Sequence, residues 1–172
     1  MKGVIVFYSL TGNNEAVAKG VAQELGLNHI KITEGKRRRA LSTLIDIIFN
    51  RTPETEPEPE VLKGYDLILF FAPVWIGHIA TPLRKYLEYI KENRVRFGFV
   101  SICGGANPGI RKELKRRAGT EPEVFLEFHI TDLLPEGTKP TIKTLTTYRL
   151  TENDVREFTN TIVQTVGEKL ER

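Results

Sequence analysis

The sequence predicts an α/β protein, an open parallel sheet covered by helices on both faces. Two observations point there. Five apolar or alternating strand-like runs are separated by segments with helical periodicity, and that alternation is the pattern of βαβ units. The runs at 3–8 (GVIVFY) and 65–73 (YDLILFFAP) are almost continuously apolar, as strands buried on both faces should be. Parallel strands need crossover connections, nearly all of them right-handed, which leaves few topologies. The 172 residues carry no internal repeat and are read as one domain, 1–172.

The elements follow in order. After the first strand and its loop, Val17, Val21 and Leu25 recur at four-residue spacing beside Ala18 and Ala22, and Gly26 stops the helix. HIKIT (29–33) alternates as a short strand, and Leu41, Leu44, Ile45 and Ile48 mark a second helix. RTPETEPEPE (51–60) breaks it with prolines and reads as a surface loop. The third strand is 65–73, and Thr81-Pro82 then opens a helix with Leu83, Tyr86, Leu87 and Ile90 on one face. VRFGFVSIC (95–103) is strand four, 108–119 a short helix ending at Gly119, and EVFLEFHI (123–130) strand five. Residues 133–150 have no legible periodicity and read as a loop; a last helix turns Val155, Phe158, Ile162, Val166 and Leu170 inward.

Composition narrows the function classes. The chain is 40% hydrophobic and 27% charged, ordinary globular values. Its one cysteine, Cys103, forbids an internal disulfide and fits a reducing, cytoplasmic setting. The amino-terminal apolar run is short and meets no small-residue cleavage site, so no leader is expected. No apolar stretch reaches the roughly 18 residues of a membrane span. The net charge of +3 is carried largely by Lys36–Arg39 and by RKELKRR (111–117), both read as solvated faces that could also dock an acidic partner. Nucleic acid is not expected, because neither cluster is interleaved with aromatics and an acidic stretch follows the first.

Ligands of open parallel sheets bind outside the carboxyl ends of the strands, and three such loops are chemically unusual. The first, SLTGNN, comprises Ser9, Leu10, Thr11, Gly12, Asn13 and Asn14. It offers hydroxyl and amide groups and an unobstructed glycine at a helix start, where free N–H groups and the helix dipole favour an anion such as phosphate. It lacks the lysine of GxxxxGK[ST], so a nucleoside triphosphate site is not expected, and GxGxxG is absent as well. The competing structural role is an ordinary helix cap by Thr11 or Asn13. The second loop holds Pro73, Val74, Trp75, Ile76 and Gly77; Trp75, the only tryptophan, suits stacking on a planar ring or covering the core edge. His78, just beyond, reads as structural. The third loop, Cys103, Gly104, Gly105, Ala106 and Asn107, presents small residues and bare backbone. Cys103 reads as a small buried residue, so no thiol chemistry, no catalytic side chain and no metal ligand is assigned.

These loops resemble those of flavodoxins and flavodoxin-like FMN proteins. SLTGNN resembles their phosphate loop, APVWIGHIATP (72–82) their second flavin loop, and CGGANPG (103–109), more loosely, their third. The resemblance spans essentially the whole chain in order and spacing. It implies a three-layer sandwich with strand order 2-1-3-4-5 and FMN across the carboxyl end of the sheet. Ser9, Thr11, Gly12, Asn13 and Asn14 would hold the phosphate, Pro73 to Gly77 would border the ring with Trp75 against it, and Cys103 to Asn107 would meet its pyrimidine edge. Two departures stand out: this chain is basic where many flavodoxins are acidic, and its third loop has no second aromatic. The second ring face is then open, covered from 133–150 by a residue such as Tyr148, or covered by another subunit.

The function expected is electron transfer through bound FMN to a redox partner protein or a small-molecule acceptor. The alternatives are an NAD(P)H-dependent quinone or flavin reductase and a flavin-free binding module of the same shape. A receiver-type signalling domain would need an acid at the end of strand three, where Ala72-Pro73 stand; a low-molecular-weight phosphatase would need C-x5-R, and Cys103 to Arg111 is C-x7-R.

Overall fold

The computed structural model describes residues 2–35 and 51–170. In chain order these form β1 (Gly3–Phe7), α1 (Asn13–Glu24), β2 (Asn28–Lys31), β3 (Thr33–Glu34), β4 (Thr55–Glu56) and β5 (Leu67–Phe71). There follow β6 (Val74–Trp75), β7 (His78–Ile79), α2 (Arg84–Asn93), β8 (Arg96–Cys103), α3 (Ile110–Ala118), β9 (Phe125–His129), α4 (Ile142–Thr147) and α5 (Glu152–Leu170). The main sheet has order β2-β1-β5-β8-β9 with every pair parallel. Counted over the five long strands, that is the expected 2-1-3-4-5.

The continuous apolar character of the central strands has a direct cause. Val4 and Val6 point into the core shared with α2 and α3, together with Phe70, Phe97, Phe99 and Leu87. Ile5 and Phe7 point the other way, into the core shared with α1 and α5, with Leu69, Phe71, Val100, Val21, Ile162 and Val166. Alternate side chains of one strand therefore feed two separate cores, so no position in β1 or β5 can be polar.

Three expectations need correction or completion. The segment 51–60 is more than a surface loop: Thr55 is 2% exposed, β4 pairs antiparallel with β3, and Lys85 Nζ donates to Thr55 O (2.9 Å) and to Glu58 (2.7 Å). The segment 133–150 holds α4, begun by a capping box in which Thr141 and Thr144 exchange side-chain and backbone bonds. Its threonine-rich sequence has low helix propensity, which hides the helix from periodicity. The helix expected from Leu41 to Ile48 lies outside the described residues, as does Lys36–Arg39. Among the described residues, no helix is long and apolar enough to cross a membrane.

Candidate functional site

The loops after β1, β5 and β8 meet at the carboxyl end of the sheet around a cavity of about 470 Å³. That is the size range of small-molecule sites. Leu10 and Thr11 from the first loop line it, with all five residues from Pro73 to Gly77 and with Cys103, Gly104, Gly105 and Asn107. Ser9, Gly12, Asn13, Asn14 and Ala106 stand outside this lining.

The first loop owes its shape to long-range bonds. Gly12 has φ 93° and caps α1 from the left-handed region, where only glycine is at ease. Its N–H donates to Ser9 Oγ at 3.0 Å. Asn14 is 1% exposed; its Nδ2 donates to Ile102 O and its Oδ1 accepts from Ile102 N, both at 3.0 Å. The side chain thus continues the β8 ladder like one more strand residue. Asn13 does the same for the chain before α5: Nδ2 donates to Tyr148 O (3.1 Å) and Oδ1 accepts from Leu150 N (3.2 Å). The two amide side chains, read from sequence as phosphate donors, are engaged in structure. What they leave facing the loop are the first-turn backbone N–H groups of α1, which have no intrahelical acceptor.

The second loop is a hairpin of β6 and β7, with Trp75 opposite His78. Ile76 (φ 49°) and Gly77 (φ 74°) both lie in the left-handed region, as a tight hairpin turn requires. Gly77 suits it; Ile76, β-branched and 77% exposed, does not. Trp75 meets Tyr8 edge to face, centroids 5.6 Å apart.

A residue the sequence reading passed over holds this hairpin. Glu113 on α3, 9% exposed, accepts from Ile79 N at 3.2 Å and from Arg117 Nε at 2.7 Å, and His78 Nδ1 lies 3.5 Å away. RKELKRR is therefore not simply a solvated face: Arg117 is buried with Glu113, and Arg111 stacks over Phe125. The signal was a single acid four residues before an arginine, a helical pair spacing.

In the third loop Asn107 Nδ2 donates to Gly105 O and lies 3.5 Å from Cys103 Sγ. Burial pushes the Cys103 thiol up to about 11, which favours the protonated form at neutral pH. A Cβ on Gly104 would stand 3.1 Å from Leu145 Cδ1; glycine there lets α4 close over the loop. Ile142, Leu145 and Thr146 of α4 consequently line the cavity, with Ile102 and Ile130. Tyr148, named under one of the three alternatives for the second ring face, packs against the α1–α5 core and is not part of the cavity lining. Leu10, Ile76 and Ile142 are exposed around the mouth, making it aliphatic.

No family model matches the chain. An NAD(P)H dehydrogenase (quinone) of Geobacter metallireducens is 26% identical over 147 residues, 80% of this chain and 69% of that protein. Among solved structures, a flavoprotein of Lactobacillus acidophilus, determined in complex with FMN, matches with TM-score 0.63 and 24% identity, over 73% of this chain and 92% of that one. Oxidised flavodoxin 1 of Bacillus cereus matches with TM-score 0.54 and 17% identity, over 97% and 98% of the two chains. With the strand order above, these likenesses establish the class: the chain has the flavodoxin-like fold.

Proposed function

We propose that the protein binds FMN at the carboxyl end of the sheet and transfers electrons through it. The observation that carries this is an apolar cavity bordered by Trp75 and by bare backbone at Gly104–Gly105, whose Leu10–Thr11 edge adjoins the anion-receptive helix start at Gly12. A phosphate and a planar ring joined by a polar chain need that pair of environments. The relative geometry suits the group: the slot walls are apolar, while Asn107 and the loop backbone offer polar groups at one edge. Bound FMN supplies the electron-accepting ring. The chain's own residues would hold the phosphate with Ser9, Thr11 and the first-turn N–H groups of α1, pack Trp75 on the ring, and border it with Leu145. The partner in this reading is a redox protein or a small acceptor reaching the open mouth.

A second reading, NAD(P)H-dependent reduction of a quinone, is supported by the name of the Geobacter relative and by the aliphatic mouth at Leu10, Ile76 and Ile142. Titration of flavin-free protein with FMN and riboflavin, read by flavin fluorescence quenching, tests the site. FMN should bind at least ~100-fold more tightly than riboflavin, about 2.7 kcal/mol; equal binding would reduce SLTGNN to a helix cap. Steady oxidation of NADH or NADPH on adding a quinone would then select the reductase reading, and its absence the carrier.

A further inference from the structure

Behind the third loop, a half-buried polar cluster lies on the α3 side of the sheet, apart from the lining of the cavity except at Cys103. The register places Cys103 opposite His129 across β8 and β9, and Glu127, two residues earlier, projects to the same face. Ligand atoms of Cys103, Glu127 and His129 all lie within 4.8 Å of one another. Two of their buried atoms, Glu127 Oε1 and His129 Nε2, have no hydrogen-bond partner. Leaving such groups unpaired is costly, and each asks for an occupant.

His129 adds a directional argument. Its Nδ1 lies 3.5 Å from Asp132 Oδ2, a carboxylate placed to favour the tautomer with the proton on Nδ1 and the lone pair on the buried Nε2. A carboxylate behind a histidine is the usual support of a metal-ligating imidazole. Sulfur, imidazole and carboxylate together form a donor set suited to zinc.

We propose that Cys103, Glu127 and His129 form a Zn²⁺ site beneath the third loop, with Asp132 as the positioning residue for His129. Tetrahedral zinc places its donors about 3.5 Å apart, so the cluster contracts by about 1 Å, a side-chain movement. Three protein donors leave the fourth position to water. Coordination converts the Cys103 thiol to thiolate and releases its proton to solvent. The thiolate gives up the S–H bond to Gly105 O but still accepts from Asn107 Nδ2, 3.5 Å away, so the ion ties β8 and β9 together and holds the loop through Asn107.

The site does not depend on the flavin reading, and its test reads metal rather than flavin. Untagged full-length protein is dialysed against buffered zinc at about 1 µM free ion, and retained metal is measured. One zinc per chain is expected, with a sulfur scatterer at about 2.3 Å in the zinc-edge X-ray absorption spectrum. His129→Gln, a near-isosteric change at a partly exposed residue, should weaken retention at least ~30-fold; Cys103→Ser should remove the sulfur signal. Asp132→Asn should weaken retention about 10-fold, in the range for supporting carboxylates. No retained zinc, or retention unchanged in His129→Gln and Cys103→Ser, overturns the proposal.

Discussion

The loop after β1 and the hairpin after β5 border the same cavity but are held in different ways. The first is anchored by buried amides reaching far along the chain: Asn14 to Ile102 and Asn13 to Tyr148 and Leu150. The second is a four-residue ladder whose turn contains a strained, exposed isoleucine and whose main anchor is one carboxylate, Glu113. The difference follows from what each presents. Backbone N–H groups bind an anion only if the whole helix start is fixed in direction, and buried amide bonds fix it. Apolar side chains against a ring need contact area, which a less constrained hairpin can supply.

The largest test of this contrast is Gly12→Asp. It puts a side chain at φ 93°, and a negative charge where the phosphate would lie; FMN affinity should fall ~100-fold, about 2.7 kcal/mol. Riboflavin binding should change less than about 3-fold, and equal loss for both ligands would break the distinction between the two regions. Asn14→Ala comes next. It strips Ile102 N–H and C=O of their buried partner, and urea unfolding should show a loss of about 2 kcal/mol.

Trp75→Ala should weaken FMN and riboflavin alike, about 10-fold, in parallel fluorescence titrations; a loss confined to FMN would mean that the hairpin serves the phosphate. Ile76→Asn sharpens the comparison in the opposite direction. Asparagine tolerates the left-handed turn that isoleucine resists, so the unfolding midpoint should rise by the equivalent of about 0.5–1 kcal/mol. A fall would mean that Ile76 contributes packing worth more than its strain.

The smallest effect concerns the first turn of α1. Hydrogen bonds from Lys19 and then Lys31 hold the Glu15 carboxyl below its ordinary value of 4.5. A carboxylate with a lowered native pKa stabilises the fold above the unfolded value and loses that contribution as the pH falls through the native one. Both lysines are about half exposed, so Glu15→Gln should cost only about 0.5 kcal/mol at pH 7. The gap from wild type should close as the pH drops below about 4.5 and shrink in high salt, both read from urea midpoints.

The five strands of the sheet and the three loops at its carboxyl end were legible because each depends on short-range pattern; the strand order was implied only by the resemblance of the loops to those of flavodoxins. Apolar runs, helical spacing and the proline and glycine signals sit within a few residues of one another. The role of the asparagines in SLTGNN was legible only as chemistry. That their side chains turn away from the loop depends on Ile102, 88 residues from Asn14, and on the chain before α5. Glu113 was hidden in a basic run because its partner Ile79 N–H belongs to another element. Helix α4 was hidden by threonines, and its place over the cavity depends on the absence of a side chain at Gly104.

By itself, then, the sequence determined which segments become strands and helices, and that polar, glycine-rich loops end three of the strands. Periodicity alone decides which face of an element is apolar, and crossover handedness does much of the rest. Tertiary structure decided which polar groups are available and which are occupied. Whether an amide donates to a ligand or to a buried carbonyl, and whether Cys103, Glu127 and His129 converge, depends on strand register. Register places residues far apart in the chain within hydrogen-bonding distance, and no local pattern encodes that.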